Sequence, residues 1–347
     1  MKLIFSSIFL LLIPLAFAAC KEIPADALYA LPLAAAPTQA DWERALPRTV
    51  TAKGGRLHRV TPLPEVDKDI VHTSTASCHH GAALPDPIAV DLRAFYTAQE
   101  LFLRLSWPDA TPDDRMMQWR FDGGKWTNSH EAEDGFGILW DSELRSTRFT
   151  CALACHIRDF AVAGSSFRAS NRMQLVKAGE WLDLWNWKAG RTGRLGFADD
   201  RFLDREGMHG DVPGELFQEN SRARLGQTKT LVFGEGDEPI SDDEGLVIDK
   251  GFRPAGSTAP GYLVTKPTAG RADVAAFGSW ERGRWTVVLR RKLDTGDPRD
   301  IRFIPADPKG IAFGLAIMDH TLNEHYASAT AEKIVLLPPN GRAAGRK

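Results

Sequence analysis

The chain has 347 residues, of which 43% are hydrophobic and 25% charged, a composition that excludes a fibrous or largely disordered protein. Its formal net charge is -2, so it has no broad positive field to hold a nucleic acid backbone, and we expect no nucleic acid partner.

The first element along the chain is a predicted signal peptide over residues 1–19. Lys2 precedes a short apolar run, and Ala16 and Ala18 then supply the small-x-small spacing that a signal peptidase recognises. This pattern predicts export to the periplasm. Cys20 follows in a context that also resembles a degenerate lipobox, so a lipoprotein is the alternative. We expect contact with a membrane only if Cys20 is lipidated.

The next segments divide into a leader, a main domain and a tail. Residues 20–60 are rich in alanine and proline with weak periodicity, which indicates a linker or leader. We place the main domain over residues 61–338 and a polar, basic tail over residues 339–347.

Alternation of apolar and polar residues from residue 88 onward is typical of strands with one buried face. The predicted strands cover residues 88–96, 101–107, 135–141, 284–293, 300–304, 311–318 and 333–337, of which 135–141 is expected to be more fully buried than the others. Short strands separated by Asp, Pro and Gly turns predict a mainly β fold, and we expect an antiparallel β-sandwich of two packed sheets.

Residues 146–235, approximately, lack this alternation and show a short helical pattern over residues 183–189. We therefore predict a loop-rich, partly helical insertion. Long irregular segments inside a compact domain are usually functional, and this one carries a cysteine pair and several tryptophans. We interpret the insertion as the cofactor-binding side of the domain.

The sharpest motif is Cys151-Ala-Leu-Ala-Cys155-His156, which differs by one residue from the C-x-x-C-H attachment motif for c-type haem. Two thiols form thioethers with the vinyl groups of the porphyrin, and the histidine that follows the second thiol binds the iron. A local disulfide or a chance cysteine pair beside a surface histidine is the alternative.

A second motif, Cys78-His79-His80, has the second half of a haem attachment site, with Thr75 where the first cysteine would stand. A single thioether would allow a second haem here. The alternatives are a disulfide with Cys20, a buried free thiol, or a transition metal held by the thiolate and the two imidazoles.

A haem that only transfers electrons needs a second axial ligand, which histidine, methionine or lysine can supply. We expect His156, and His79 if a second haem is bound, to be proximal ligands. The distal candidates are Lys188, His209 beside Met208, Met318, His320 and His325, of which we prefer the last two. An ordinary loop or core position is the alternative for each.

Trp185 and Trp187 lie just before Lys188 in the chain, and their indoles are candidates to line one face of a porphyrin. Aromatic residues at this spacing are more often part of a core. The sequence contains no G-x-S-x-G, P-loop or dinucleotide-binding motif in a suitable setting, so hydrolase, phosphotransfer and dinucleotide functions lack support.

Five segments in this order resemble the haem-binding domain of ethylbenzene dehydrogenase gamma subunits. They are Leu105–Thr111, Asp134–Asp141, Trp185–Thr192, Ala198–Asp204 and Trp285–Gly296. The resemblance implies a β-sandwich related to carbohydrate-binding modules, a haem as electron carrier and, in some members, a partner molybdenum enzyme of the dimethyl sulfoxide reductase type.

The resemblance also implies a noncovalent b-type haem held through methionine and lysine, for which Met116, Met117 and Lys188 are available matches. The motif from Cys151 to His156 instead resembles the covalent c-type branch of the family. We therefore expect haem c, with one haem at this motif and Cys78 as the candidate attachment site for a second haem.

The leading hypothesis is a c-type cytochrome that transfers electrons between a membrane cytochrome or soluble carrier and a redox enzyme, and that transforms no substrate itself. A molybdenum oxidoreductase is the expected kind of partner. One alternative is a secreted carbohydrate-binding module that presents Trp107, Trp185 or Trp187 to a sugar. The other is a haem sensor or enzyme with an open iron site.

Overall fold

The computed structural model describes residues 26–54, 85–129, 131–141, 179–204, 206–214, 216–222, 254–265, 267–321, 325–328 and 330–339, together with the backbone of residues 160–163, 166–169 and 230–231. The predicted signal peptide, both cysteine motifs and residues 340–347 lie outside these ranges. Among the described residues, no helix is long and apolar enough to span a bilayer.

Strands account for nearly all the regular structure. The first eleven are β1 Leu28–Pro32, β2 Arg48–Gly54, β3 Ile88–Tyr96, β4 Glu100–Pro108, β5 Trp119–Phe121, β6 Trp126–Asn128, β7 Gly135–Asp141, β8 Phe160–Ala163, β9 Ser166–Ala169, β10 Trp181–Lys188 and β11 Phe197–Asp204. The remainder are β12 Gly207–Gly210, β13 Phe217–Glu219, β14 Ser221–Arg222, β15 Thr230–Leu231, β16 Thr258–Ala259, β17 Tyr262–Val264, β18 Val274–Trp280, β19 Arg284–Lys292, β20 Ile311–Met318, β21 His325–Ser328 and β22 Glu332–Leu336. Helix α1 covers Gln39–Arg44, and 3-10 turns cover Gly193–Leu195 and Ala269–Ala272.

Ten strands form a closed barrel in the order β20, β21, β2, β3, β4, β19, β18, β11, β10, β7 and back to β20. Neighbours in this ring are antiparallel, whereas β1 pairs in parallel with both β22 and β3. The predicted mainly β fold is confirmed. The two faces expected of a sandwich are joined through the pairs β7–β20 and β2–β21, so the sheet has no free edge in the ring.

The barrel begins earlier in the chain than the predicted boundary at residue 60. Leu28 of β1 pairs with Ile334 of β22, and Val50 of β2 pairs with Val90 of β3. The interpretation of residues 20–60 as a leader is therefore wrong for β1 and β2, which belong to the main sheet. Their signal in the sequence is weak because β1 has only five residues and ends at a proline.

The predicted insertion also contains two barrel strands, β10 and β11, so residues 181–204 belong to the closed sheet. The helical interpretation of residues 183–189 is wrong because residues 181–188 form β10. The polar residues of this strand lie on both of its faces, Asp183 inward and Lys188 outward, so the alternation that marks a strand is absent. Residues 300–304 form a loop instead of a predicted strand. Ile301 and Phe303 alternate because this loop turns both side chains into one end of the core.

Aromatic side chains fill the interior of the barrel. Trp185 packs against Trp140 with ring centroids 4.9 Å apart, and Trp187 contacts Trp107 with centroids 6.3 Å apart. Trp107, Trp185 and Trp187 are at most 1% exposed. None of the three can stack on a sugar. The hypothesis of a carbohydrate-binding module that presents these tryptophans to a sugar is therefore wrong.

Candidate functional site

Register across four neighbouring strands brings three of the predicted ligands into one line. Lys188 of β10 lies opposite Gly135 of β7, which lies opposite Met318 of β20, which in turn lies opposite His325 of β21. We call Lys188, Met318 and His325 the donor row. Their amine, thioether and imidazole groups are all capable of binding iron.

The donor row lies on the outer face of the barrel. Residues directly opposite each other on paired strands share a face. Trp187 and Phe136, next to the row on β10 and β7, point into the core, so Lys188 and Gly135 point outward. Trp185 and Trp187 therefore lie on the opposite face of β10 from Lys188, and neither can wall a cofactor bound there.

Gly135 leaves the centre of the donor row free of a side chain. Strands in a sheet lie about 4.8 Å apart, so the backbones of Lys188 and Met318 are roughly 10 Å apart across the strand of Gly135. A Cβ at Gly135 would lie 2.6 Å from the carbonyl oxygen of Trp187 and 3.3 Å from the methyl carbon of Met318. Glycine at this position lets the methionine side chain lie close to the backbone of β7.

The Lys188 amine is buried, and its side chain is only 9% exposed. It contacts the Asn186 side-chain oxygen and lies 5.2 Å from the centre of the Phe217 ring. Burial lowers the pKa of Lys188 to about 7, although the Asp199 carboxylate opposes this shift and Arg191 adds to it. Near pH 7 much of this amine is therefore neutral, which is the form that has a free electron pair for a metal.

The carboxylates nearest to Lys188 are already paired with arginines. Arg271 donates from Nε and Nη2 to the two oxygens of Asp199, at 2.9 and 3.0 Å. Arg191 pairs with Glu133, which also accepts from the backbone nitrogen of Arg191 at 2.8 Å. Because Asp199 and Glu133 are each paired with an arginine, they compensate the positive charge of Lys188 only in part.

Met117, a match for the methionine ligand of the resembled family, lies outside the donor row. Its sulfur accepts a hydrogen bond from the Tyr262 hydroxyl at 3.8 Å. The Arg191 guanidinium lies over the rings of both Tyr262 and Phe217, at 5.0 and 4.8 Å, and Phe217 in turn covers Lys188. Met117 is thus connected to the donor row only through intervening side chains. Met116 is buried in the same loop.

His209 is separated from the donor row. Its ring stacks on Phe202 at 4.9 Å, and its Nε2 lies 2.9 Å from Asp204. Phe202 pairs with Asp183, which is five positions from Lys188 along β10, or roughly 16 Å at the usual rise of a strand. His209 and Lys188 therefore do not form one site in the described part of the chain.

His320 lies just beyond the end of the donor row, two residues after Met318. Its side chain is two-thirds exposed, and its Nδ1 lies 2.8 Å from the Asp319 carboxylate. Burial lowers its pKa, but the hydrogen bond to Asp319 and the neighbouring carboxylates raise it more, so the net shift is upward. His320 lies outside the donor row and its imidazole is engaged by Asp319, so His325 is the better placed of the two preferred histidines.

Asp134 anchors the loops around the donor row. It is fully buried, and it accepts from the backbone nitrogens of Asp113 and His320 and from Nε1 of Trp285, at 2.8, 2.9 and 2.8 Å. Asp109, Asp113 and Asp319 place carboxylate oxygens close to it. Carboxylate clusters suit hard cations such as Ca²⁺, but the three hydrogen bonds of Asp134 already give it a structural role.

A cluster of three aspartates around one arginine lies inside the barrel, and sequence reasoning missed it. Arg291 lies 3.4 Å from Asp183, 3.5 Å from Asp200 and 2.7 Å from Asp300, and all four side chains are at most 2% exposed. The guanidinium also lies 5.1 Å from the centre of the Trp185 ring. The available signal was the presence of charged residues at inward-facing positions of three otherwise apolar strands or loops.

This cluster predicts that stability falls as pH rises. Burial raises the pKa of Asp183 from 3.8 to about 7, and burial and the neighbouring Asp183 raise that of Asp200. The folded chain thus holds protons that the unfolded chain releases near pH 4. The resulting stabilisation is fully present below pH 4 and is lost as pH rises towards 7.

We expect the free energy of unfolding to fall by about 1–3 kcal/mol between pH 5 and pH 8. Urea denaturation at constant ionic strength measures this change. In an Asp200→Asn variant the slope should be smaller, because an amide releases no proton. A slope that is flat or positive in the wild type, and unchanged in the variant, would contradict the prediction.

The fold and the donor row together define a class of protein: a closed, mainly β domain that carries potential iron ligands on its outer face. Residues 39–327 match the family model described as ethylbenzene dehydrogenase, and the chain belongs to that family. The predicted family resemblance is confirmed. Membership is consistent with a haem-binding subunit of the ethylbenzene dehydrogenase type and suggests a redox protein. A search of curated proteins found no matching relative.

Proposed function

We propose that this protein is an exported haem protein that carries electrons to or from an oxidoreductase. The observation that carries the proposal is the donor row, in which Lys188, Met318 and His325 follow one another across β10, β7, β20 and β21. Family membership supports haem as the cofactor. Methionine and histidine are common haem ligands, and the buried amine of Lys188, with its pKa lowered to about 7, also has a free electron pair for iron.

The residues of the donor row fit a haem ligand set. Lys188 is buried and forms no ion pair with a carboxylate in the described part of the chain, since Asp199 is held by Arg271. Met318 is 6% exposed. When bound, haem supplies one-electron redox chemistry. The chain would hold it through these side chains, exclude water with the apolar residues of the same face, and tune its potential through burial.

Covalent attachment at Cys151 and Cys155, with His156 as the proximal ligand, is part of the proposal and rests on the sequence motif. The donor row would then supply the distal ligand, with Lys188 favoured by its burial and Met318 and His325 as its neighbours. A second haem at Cys78 and His79 has the same sequence basis.

The role of electron carrier follows from the proposed ligand set. Two protein ligands on the iron leave no open position for a substrate, so the protein would exchange electrons and transform nothing itself. The chemical class of partner is an oxidoreductase in the periplasm, either a molybdenum enzyme or a membrane cytochrome. Lipidation at Cys20 would tether the protein to the membrane without altering this role.

The test is a pyridine haemochrome spectrum on the full chain matured in a periplasm that attaches haem c. We expect a c-type spectrum and a haem stain that survives denaturing electrophoresis, both lost in a Cys151→Ser, Cys155→Ser double variant. A ratio of two haems per chain would extend the assignment to Cys78. Haem that is bound but extractable by acidified organic solvent would retain the haem function and overturn covalent attachment.

A matched control is a Cys78→Ser variant, which should keep the stain at the Cys151 motif. If the wild type binds no haem under these conditions and its cysteines form a disulfide, the proposed function is wrong.

A further inference from the structure

A polar groove of about 770 Å³ crosses the outer face of β3, β4, β19 and β18. In the ring order of strands, this face is on the far side of the barrel from β10, β7, β20 and β21, which carry the donor row. The groove is therefore separate from the proposed haem site.

The floor of the groove is made of small polar side chains. Asp91 pairs with Ser106, Ser106 with Thr286, and Thr286 with Ser279, so the four residues form one row across four strands. Ser106 Oγ donates to the carbonyl oxygen of Trp285 at 2.9 Å and lies 3.1 Å from the Thr286 hydroxyl. Short side chains in a row, between longer ones, leave a trough in the surface of the sheet.

Arginines form both walls of this trough. Arg93 and Arg104 stand opposite each other on β3 and β4, on one side of the row. Arg282 and Arg284 come from the β18–β19 hairpin on the other side. The guanidinium of Arg104 lies 5.2 Å from the centre of the Trp42 ring of α1. This contact fixes the position of the Arg104 side chain at the edge of the groove.

The charges of the groove are not balanced. Arg93 pairs with Asp91 at 3.0 Å, and Glu281 is the other carboxylate in the lining. Among the described residues, no ion pair involves Arg104, Arg282 or Arg284, and no atom in this part of the chain accepts a hydrogen bond from the buried Nε of Arg104. Four guanidinium groups against two carboxylates leave an excess of two positive charges.

The hairpin that supplies two of these arginines has an unusual residue at its tip. Arg282 and Gly283 form a two-residue turn in which both have positive φ, 51° and 76°. Turns of this kind favour Asn, Asp or Gly at the first position, because other side chains are strained there. An arginine at this position places its guanidinium beside the groove in spite of the strain.

We infer that this groove binds a small polyvalent oxyanion, a molecule with at least two carboxylate or phosphate groups. Guanidinium groups match the geometry of both, and two walls of arginine can each engage one anionic group. The volume is in the range of metabolite-sized ligands. The inference does not depend on haem binding.

The test is isothermal titration calorimetry of the full chain with citrate and, separately, with pyrophosphate, at constant ionic strength. We expect saturable one-to-one binding of at least one of them. Tighter binding of citrate identifies a polycarboxylate as the ligand class, and tighter binding of pyrophosphate identifies a polyphosphate. Arg104→Gln and Arg284→Gln should each weaken that binding about tenfold or more.

The matched control is Arg290→Gln, which removes one positive charge from the same face of β19. Arg290 lies outside the groove lining and pairs with Glu100 at 3.6 Å. It should leave the affinity unchanged. Circular dichroism confirms that each variant is folded. Absence of binding with both probes, or an equal loss in all three variants, would overturn the inference.

Discussion

Replacing Arg291 with methionine is expected to lower the free energy of unfolding by about 3–5 kcal/mol at pH 7. Its guanidinium is the only cation within ion-pair distance of Asp183, Asp200 and Asp300 among the described residues, and all three carboxylates are buried. Without it, the barrel would have to hold these groups uncompensated or bind additional protons. Urea denaturation of the wild type and the variant measures the difference.

Two comparisons isolate the cause of this loss. Arg290→Met, the adjacent position, removes an exposed arginine paired with Glu100 and should cost less than about 1 kcal/mol. The loss from Arg291→Met should also shrink at pH 5, because Asp183 and Asp200, whose pKa values are raised, can then take up protons. Equal losses for the two variants, or a loss that does not depend on pH, would show that buried charge is not the cause.

Replacing Lys188 with methionine is expected to have two opposite effects. In haem-free protein, stability at pH 7 should rise by about 2–4 kcal/mol. Burial lowers the pKa of Lys188 from 10.5 to about 7, so between these values the folded chain binds fewer protons than the unfolded chain. The lysine therefore destabilises the folded chain most at and below pH 7, and its replacement should raise the free energy of unfolding most in that range.

In haem-containing protein, the same variant should change the low-spin visible spectrum, because it replaces the proposed amine ligand. Absorption spectroscopy and thermal denaturation measure the two effects. Lys292→Met, at the exposed end of β19, should change neither. A Lys188→Met variant with lower stability and an unchanged spectrum would show that the amine is a structural group.

Patterns of apolar and polar residues in the sequence were sufficient to predict six strands of the sheet, including β7 and β20, which are buried on both faces. β3, β7 and β20 match the predicted bounds to the residue, and β4, β19 and β22 match within one residue at either end. β10 was missed because its polar residues lie on both faces, Asp183 inward and Lys188 outward, so its sequence does not alternate and fits a short helix as well as a strand.

The residues of the candidate site could be predicted from the sequence, but their arrangement in space could not. Lys188, Met318 and His325 were each named from their chemistry, whereas their alignment depends on the registers of three strand pairs between distant parts of the chain. No local pattern encodes those registers. The Arg291 cluster was missed for a related reason, since its aspartates come from three separate segments and meet only inside the closed barrel.

The pairing of β1 with β22 has a consequence for how the chain reaches its folded form. Leu28 and Ile334 are neighbours in the sheet although almost the whole chain lies between them. Contacts of such high contact order form slowly, because a long loop must close before any pairing energy is gained. β1 can pair with β3 once residue 96 has been made, but its pairing with β22 must wait for the C-terminal part of the chain. β20 and β21, which close the ring and carry Met318 and His325, come directly before β22 in the chain. The ring and its donor row are therefore complete only when β20 and β21 have been made.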